Sequence, residues 1–269
     1  MFLPSRHAVT ILSAMPTVRA IDDFLHRRIG VSYLRLSRER SIHERFRYAL
    51  AVLNSLGLED PTVLDVGCGS GMLLRHLASH RRHVASYTGI DLDATRLERR
   101  YRDVRIPHQF LDVDLDSDWR VPDNDFAWCS EVLEHLTDDC GVLRRIAASV
   151  RPGGHIVVTM PSLAQRERLA SKLPWALDVS PIQDGGHVRA GYTSETLRAL
   201  AADAGLEVLR IDVVSPRLDF EFVSRYRSPR GVMELIDRIP FSGAPSFELA
   251  AVPGSLARYI SIAALLQRS

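Results

Sequence analysis

The sequence predicts an α/β protein with a mostly parallel sheet and helices on both faces. Short apolar runs of strand length alternate along the chain with segments of helical spacing. The first of these runs leads directly into a glycine-rich turn and a helix. Both features are typical of strands that are joined by helical crossovers. With 269 residues, the chain has room for one large domain of this class, or for one domain with a cap.

Six strands are expected before the C-terminal segment. The first is the apolar run around Val63, Leu64 and Val66, and the others cover 87–90, 106–113, 126–129, 155–160 and 206–214. Helices are expected over 20–57, 93–102, 131–150 and 194–204. The last apolar run, 258–268, fits a helix or a strand by periodicity alone.

Composition excludes several classes of protein. The formal net charge is +1, so no overall basic field predicts binding to nucleic acid. The three cysteines are few and odd in number, which favours a reducing, cytoplasmic location without a disulfide framework. No apolar run approaches about 18 residues, so no transmembrane segment is expected. Arg6, His7 and Arg19 interrupt the N-terminal apolar residues, which argues against a cleaved signal peptide.

The glycine-rich turn carries the clearest functional signal. Asp65 precedes three glycines at alternate positions, Gly67, Gly69 and Gly71. A glycine turn between a strand and a helix lets the backbone approach a nucleotide-like ligand closely. A dinucleotide fingerprint would instead need its third glycine at position 72, which is Met72. The alternative is a purely structural glycine turn.

This D-x-G-x-G-x-G pattern resembles motif I of the class I S-adenosylmethionine (SAM) methyltransferases. The resemblance implies a Rossmann-like fold with a seven-stranded sheet, in which the run 258–268 forms a last, antiparallel strand. It also implies that SAM is the cofactor and that the loop binds it, through Asp65, Gly67, Cys68, Gly69 and Gly71. A carboxylate at a strand end suits the ammonium and sulfonium groups of SAM.

The second strand should contribute to the same pocket, because ligands of open α/β sheets lie beyond the carboxyl ends of the strands. Asp91 follows Gly71 by 20 residues, about where an acidic residue reaches the ribose hydroxyls. Leu92 follows it and is assigned to the cofactor site as well. The alternative is that Asp91 caps the next helix.

Two further cofactor contacts rest on the resemblance. The family places an acidic residue after the third strand against the adenine amino group. Asp112, Asp114 and Asp116 alternate there, and Asp114 with the Leu115 backbone is our assignment. Ubiquinone-type relatives use an arginine near position 47 against the SAM carboxylate, which points to Arg47, although this side chain could equally face solvent.

The reaction site is expected at the end of the fourth strand. Ser130 ends this strand beside the methyl donor. Glu131, Glu134 and His135 follow with i, i+3 and i+4 spacing, which would place them on one face of a helix. Acidic residues alone are common at a helix start, because the macrodipole favours them there. The added imidazole indicates chemistry.

This E-V-L-E-H segment resembles the ubiquinone-biosynthesis O-methyltransferases and the small-RNA 3′-end 2′-O-methyltransferases. In both, an E-x-x-E-H set binds a divalent cation together with a later histidine, here His187. The resemblance therefore implies that Glu131, Glu134, His135 and His187 hold Mg²⁺, Mn²⁺ or Zn²⁺. Without a metal, His135 or His187 would act as general base. The plainest alternative is a capped helix with a surface histidine.

The predicted domains are an N-terminal helical cap over 1–60 and a SAM-binding domain over 61–269. An insertion at about 215–257 either covers the substrate or extends the packing. Catalysis is assigned to Glu131, His135 and His187. The predicted function is methylation of a hydroxyl on a small molecule. Alternatives are 2′-O-methylation of RNA, which the arginines of 26–47 favour and the net charge disfavours, metal-free N- or C-methylation, and a non-catalytic SAM-binding protein. A homodimer is left open.

Overall fold

The computed structural model describes residues 45–80, 83–163, 186–216 and 259–269. Helix α1 covers 45–55 of this part and is followed by β1 (Thr62–Val66), α2 (Met72–Ser79) and β2 (Ser86–Asp91). The 3₁₀ turn Thr95–Leu97 leads into α3 (Glu98–Tyr101), β3 (His108–Asp112) and β4 (Asn124–Ser130). A second 3₁₀ turn, Leu133–His135, precedes the remaining elements, which are α4 (Asp139–Ser149), β5 (Val150–Pro161), α5 (Ser194–Asp203), β6 (Leu206–Pro216) and β7 (Tyr259–Arg268).

The strands form one seven-stranded sheet with the order β3-β2-β1-β4-β5-β7-β6. β1 pairs in parallel with β2 and β4, whereas β7 runs antiparallel between β5 and β6. The expected fold class is therefore confirmed, and the ambiguous run 258–268 contains a strand. The strand order reverses at β1: β2 and β3 lie on one side of it, and β4 and the later strands lie on the other. This is the crevice at which open α/β sheets bind ligands.

Apolar side chains pack on both faces of the sheet. β1 alternates between them: Val63 lies in one core, and Leu64 and Val66 lie in the other. Helices α1 and α2 cover the face of Val63 with residues such as Leu53 and Leu73. Helices α4 and α5 cover the opposite face. The strand is therefore fixed from both sides, which holds the glycine loop at its end in one position.

A buried polar contact fastens α1 to the far edge of the sheet. The Tyr48 hydroxyl donates a 2.6 Å hydrogen bond to Asp212 of β6, which Arg210 also contacts at 2.6 Å. Burial and the neighbouring Asp212 raise the pKa of Tyr48, so its proton stays in the contact. Helix α1 thus packs on the sheet, although the sequence assigned it to the cap. The boundary at 60 stays a prediction, because 1–44 and 217–258 lie outside the described residues.

The helix expected over 131–150 is wrong in its first part. Glu131 has a φ of 55°, Leu136 is extended, and the α-helix starts only after Asp138, whose side chain accepts from the Gly141 N–H. A left-handed residue followed by an extended one cannot belong to one α-helix. The helix expected over 93–102 is likewise split between the first 3₁₀ turn and α3.

Candidate active site

The glycine loop turns tightly between β1 and α2. The N–H groups of Gly67 and Cys68 both donate to the Ile90 carbonyl, at 2.9 and 3.0 Å. Gly67 has a φ of 68°, and a Cβ there would lie 2.4 Å from Val132. Gly69 has a φ of 55°, yet a Cβ there would meet no atom of the described residues within 4 Å. The loop therefore needs glycine at 67 for packing and leaves open space above 69.

Asp65 lies at the end of β1 beneath this loop and is only 3% exposed. The Tyr87 hydroxyl donates a 2.6 Å hydrogen bond to its Oδ2 atom. Burial raises the pKa of Asp65 to about 7, the Tyr87 hydrogen bond opposes this rise, and the nearby Asp91 adds to it. Asp65 is therefore a buried carboxyl group that changes charge near neutral pH.

Asp91 ties the end of β2 to the glycine loop. Its Oδ2 accepts from the Gly69 N–H and its Oδ1 from the Leu92 N–H, both at 2.8 Å. It does not cap the following helix, because the Thr95 N–H at that position donates to Asp112. The Leu92 side chain next to it is 71% exposed, an unusual position for a large apolar residue. Asp91 thus contacts Gly69, and an exposed apolar side chain follows it in the chain.

The acids after β3 have separate surroundings. Asp112 accepts from the N–H and the hydroxyl of Thr95, and these bonds lower its pKa. Asp114 is exposed, and its Oδ1 accepts only a local bond from the Asp116 N–H at 3.0 Å. The Leu115 side chain is buried in the core, and its carbonyl accepts from Trp119. Asp114 and Asp116 both lie at the surface, and the assignment of Asp114 to the adenine stays a prediction.

An arginine that sequence analysis had not singled out reaches the site from α1. The Arg45 guanidinium lies 3.1 Å from Oε2 of Glu131. Arg47, the predicted SAM contact, is half-buried two residues further along the same helix. The arginine-rich segment 26–47 was the only available signal, and it did not distinguish one arginine from another.

Glu131 is held in a strained conformation at the end of β4. Its φ of 55° is unusual for a residue with a side chain. Its N–H donates to the Thr159 carbonyl at 2.9 Å, and the Thr159 hydroxyl lies 3.1 Å from its Oε1. The same hydroxyl lies 2.8 Å from that of Ser130. Arg45, Thr159 and the strained backbone together fix the direction of this carboxylate.

Glu134, His135 and His187 come together in space. Their ligand atoms all lie within 4.8 Å of one another, and no other such group of histidine, cysteine or acidic residues occurs among the described residues. Oε1 of Glu134 is 4.0 Å from Nε2 of each histidine, and the two imidazole rings meet edge to face at 4.5 Å. Glu131, the fourth predicted ligand, is not in this group. The α-helix that would have aligned it with Glu134 does not form.

Glu134 is unusual among these residues. Its side chain is completely buried, and neither carboxylate oxygen has a hydrogen-bond partner among the described residues. Burial raises the pKa of Glu134 well above its ordinary value, and the charge of Glu131 raises it further. A buried carboxyl group without partners is costly, so natural proteins rarely keep one without a ligand or a function.

The segment that carries His187 is fastened to the second 3₁₀ turn. The Val188 N–H donates to the Glu134 carbonyl at 2.8 Å. Arg189 donates to the carbonyls of Leu133 and Thr137 and pairs with Asp139. Because these bonds are made by the two residues that follow His187, they hold its imidazole next to Glu134. Contacts from a part of the chain more than 50 residues away thus complete the group.

Comparison with known proteins identifies the family. A family model described as a methyltransferase domain matches residues 41–211, which includes every site residue described above. The chain belongs to this methyltransferase family. The family and the class of enzyme expected from the sequence are therefore confirmed, and the fold of the family implies SAM.

Curated relatives include the ubiquinone biosynthesis O-methyltransferases of Aeromonas salmonicida and Pseudomonas paraeruginosa. The first is 35% identical over 108 residues, which are 38% of this chain and 44% of that protein. The second is 30% identical over 158 residues, which are 56% of this chain and 67% of that protein. The match thus covers less than half the length of the first relative.

Solved structures agree in fold. The methyltransferase bound to the Trm112 activator of Haloferax volcanii superposes with a TM-score of 0.58 at 18% identity, covering 86% of this chain and 92% of that one. Magnesium protoporphyrin IX methyltransferase from Synechocystis, solved with bound S-adenosylhomocysteine, gives a TM-score of 0.56 at 13% identity over 97% of this chain and 100% of that one. In the part of this chain that the structure describes, no helix has the length and apolarity needed to cross a membrane.

Proposed function

We propose that this methyltransferase transfers the methyl group of SAM to a hydroxyl of a small molecule, next to a divalent cation held by Glu134, His135 and His187. The buried carboxyl group of Glu134 carries this proposal, because it lies between two imidazoles and has no hydrogen bond to any of the described residues. The names of the curated relatives support a phenolic or quinone-like acceptor.

The three side chains fit a metal ion. Two imidazole nitrogens and one carboxylate are a donor set that borderline ions such as Zn²⁺ and Mn²⁺ accept, and the carboxylate alone also suits Mg²⁺. An ion would give the buried oxygens of Glu134 the partner that they lack. Three protein ligands leave coordination positions open, as catalytic metal sites do. When bound, such an ion would lower the pKa of an acceptor hydroxyl.

The SAM site is assigned from the residues around the glycine loop. Asp65 would bind the ammonium group, Asp91 the ribose hydroxyls, and Leu92 would lie against the adenine. Gly69 would lie close to the ligand, since the space above it is open. Gly67, Cys68 and Gly71 form the turn itself, whereas Asp114, the Leu115 backbone, Ser130 and Arg47 remain our proposals for the rim of the site.

SAM supplies an activated methyl group: the acceptor oxygen bonds to the methyl carbon, the carbon–sulfur bond breaks, and S-adenosylhomocysteine leaves. The contribution of the chain is to hold the acceptor in line with that methyl group and to receive the hydroxyl proton. Without an ion, Nε2 of His135 or of His187 would receive this proton. Glu131, fixed by Arg45 and Thr159, would orient the acceptor from the end of β4.

The remaining predictions about the whole chain are proposals too. We propose a cap over 1–60 and an insertion at about 215–257. A cytoplasmic location and a homodimer stay predictions.

The experiment is methyl transfer from labelled SAM into a metabolite extract and, in parallel, into total RNA. Label in a small organic molecule supports the proposal, and label only in RNA overturns the choice of acceptor. Turnover after removal of metals, followed by addition of Mg²⁺, Mn²⁺ or Zn²⁺ singly, tests the cation. Turnover that withstands a chelator would exclude its role.

A further inference from the structure

The contact between Tyr87 and Asp65 lies where the proposed SAM site meets the sheet. The two residues belong to adjacent parallel strands, and Asp65 stands opposite Gly89 in the register. Tyr87 is completely buried, and its ring packs edge to face on Phe110 at 5.8 Å. The hydroxyl therefore has a fixed position, 2.6 Å from Oδ2 of Asp65.

The groups that face Asp65 are acids, weak acids or neutral donors. β2 provides Tyr87 and Asp91, the glycine loop provides Cys68, α3 provides Tyr101, and β4 provides Cys129. Burial is the largest cause of the raised pKa of Asp65, about 7, and Asp91 raises it further. The Tyr87 hydroxyl is the contact that acts in the opposite direction, because it donates to the charged form.

We propose that Tyr87 is a positioning residue of the SAM site, whose hydroxyl aims the Asp65 carboxylate at the ammonium group of SAM and keeps it charged. The inference rests on the proposed SAM site, and it adds a residue that does not touch the ligand. Without the hydroxyl, the carboxyl group would be neutral over more of the physiological pH range. A neutral carboxyl group has no ionic attraction for an ammonium.

The experiment is calorimetric binding of S-adenosylhomocysteine, which carries the same ammonium and cannot react, from about pH 5.5 to about pH 8.5. Wild-type affinity should decrease on the acid side as Asp65 takes up a proton. In Tyr87→Phe, the midpoint of this decrease should move up by about one pH unit, with affinity about tenfold lower near pH 6.5 and almost unchanged at the alkaline end.

Two further variants separate this role from a structural one. Tyr101→Phe removes another hydroxyl of the same region, which donates to the Ser70 carbonyl, and should leave the midpoint in place. Asp65→Asn should abolish the decrease of affinity at acid pH. The double variant with Tyr87→Phe should show no pH dependence either. If Tyr87→Phe does not fold, Asp65→Asn still tests whether Asp65 causes the decrease of affinity at acid pH.

The outcomes are distinct. A loss of affinity in Tyr87→Phe that is equal at every pH would show a merely structural role and would overturn the inference. A decrease of affinity at acid pH that persists in Asp65→Asn would also overturn the inference. If the wild-type chain bound no S-adenosylhomocysteine at any pH, the proposed SAM site would fail first and this inference with it.

Discussion

Arg45 and Glu131 form an ion pair across the candidate active site, with NH1 of Arg45 at 3.1 Å from Oε2 of Glu131. The sequence had assigned Glu131 to the cation, whereas the structure pairs it with an arginine from α1. Both side chains are less than one fifth exposed, so the pair is only partly screened by water. A fixed positive charge thus stands beside the proposed cation site and engages a carboxylate that could otherwise bind the ion.

The first prediction concerns this arginine. Arg45→Met should strengthen binding of Mn²⁺ about three- to tenfold, because it removes a like charge and frees Glu131. Calorimetry of the metal-free protein with Mn²⁺ measures this. Arg102→Met is the matched control, since Arg102 is exposed and pairs with its neighbour Asp103. An unchanged or weaker affinity in Arg45→Met would contradict competition between the arginine and the ion.

The second prediction distinguishes the two glutamates. Glu134→Gln should weaken binding of Mn²⁺ by about a hundredfold, because it replaces the carboxylate that lies between the two histidines. Glu131→Gln makes the same replacement of a carboxylate by an amide. It should change the affinity for Mn²⁺ only a few-fold, since Glu131 lies outside the group of Glu134, His135 and His187. Equal losses in the two variants would restore the four-ligand site that the sequence suggested.

The third prediction concerns the cost of Asp65. Its pKa is raised on folding from an ordinary value of 3.8 to about 7. Its contribution to stability is therefore fully present below about pH 4 and is lost as the pH rises through about 7. Asp65→Asn, which stays neutral, should gain stability relative to wild type over this range, by at most about 4 kcal/mol. It should bind S-adenosylhomocysteine more weakly at neutral pH.

Urea unfolding at about pH 4.5 and about pH 8 measures this difference. The gain should be small at the lower pH and larger at the higher one. A constant difference at both values would mean that folding does not raise the pKa of Asp65.

The fourth prediction uses two glycines with similar backbones. Gly57 and Gly69 have φ values of 62° and 55°, and in the part of the chain that the structure describes no atom lies within 4 Å of a Cβ at either position. Alanine at each should cost about 1 kcal/mol of stability, because a side chain disfavours this conformation. Gly69→Ala alone should weaken binding of S-adenosylhomocysteine, at least tenfold by calorimetry, since its methyl group would enter the proposed SAM site. Equal binding in the two variants would place the ligand elsewhere.

The sequence predicted the sheet and the glycine loop well, since these depend on local pattern. An apolar strand such as that around Val63, followed by Gly67 and Gly69, specifies a strand and a turn through residues that are close in the chain. The pairing of Glu134 with His135 was also predicted, although the α-helix invoked for it does not form. The position of Glu131 was not, because its φ of 55° depends on Thr159 in the neighbouring strand and on Arg45 in α1.

The sequence by itself determined the class of fold, the family and the residue types around the proposed methyl donor, because strand periodicity and a glycine-rich turn are local properties of the chain. The tertiary structure decided which of those residues act together. His187 is held next to Glu134 by the backbone N–H of Val188 and the guanidinium of Arg189, and Tyr87 reaches Asp65 across the β1–β2 pairing. Contacts between distant segments depend on packing and register, which no local pattern of residues encodes.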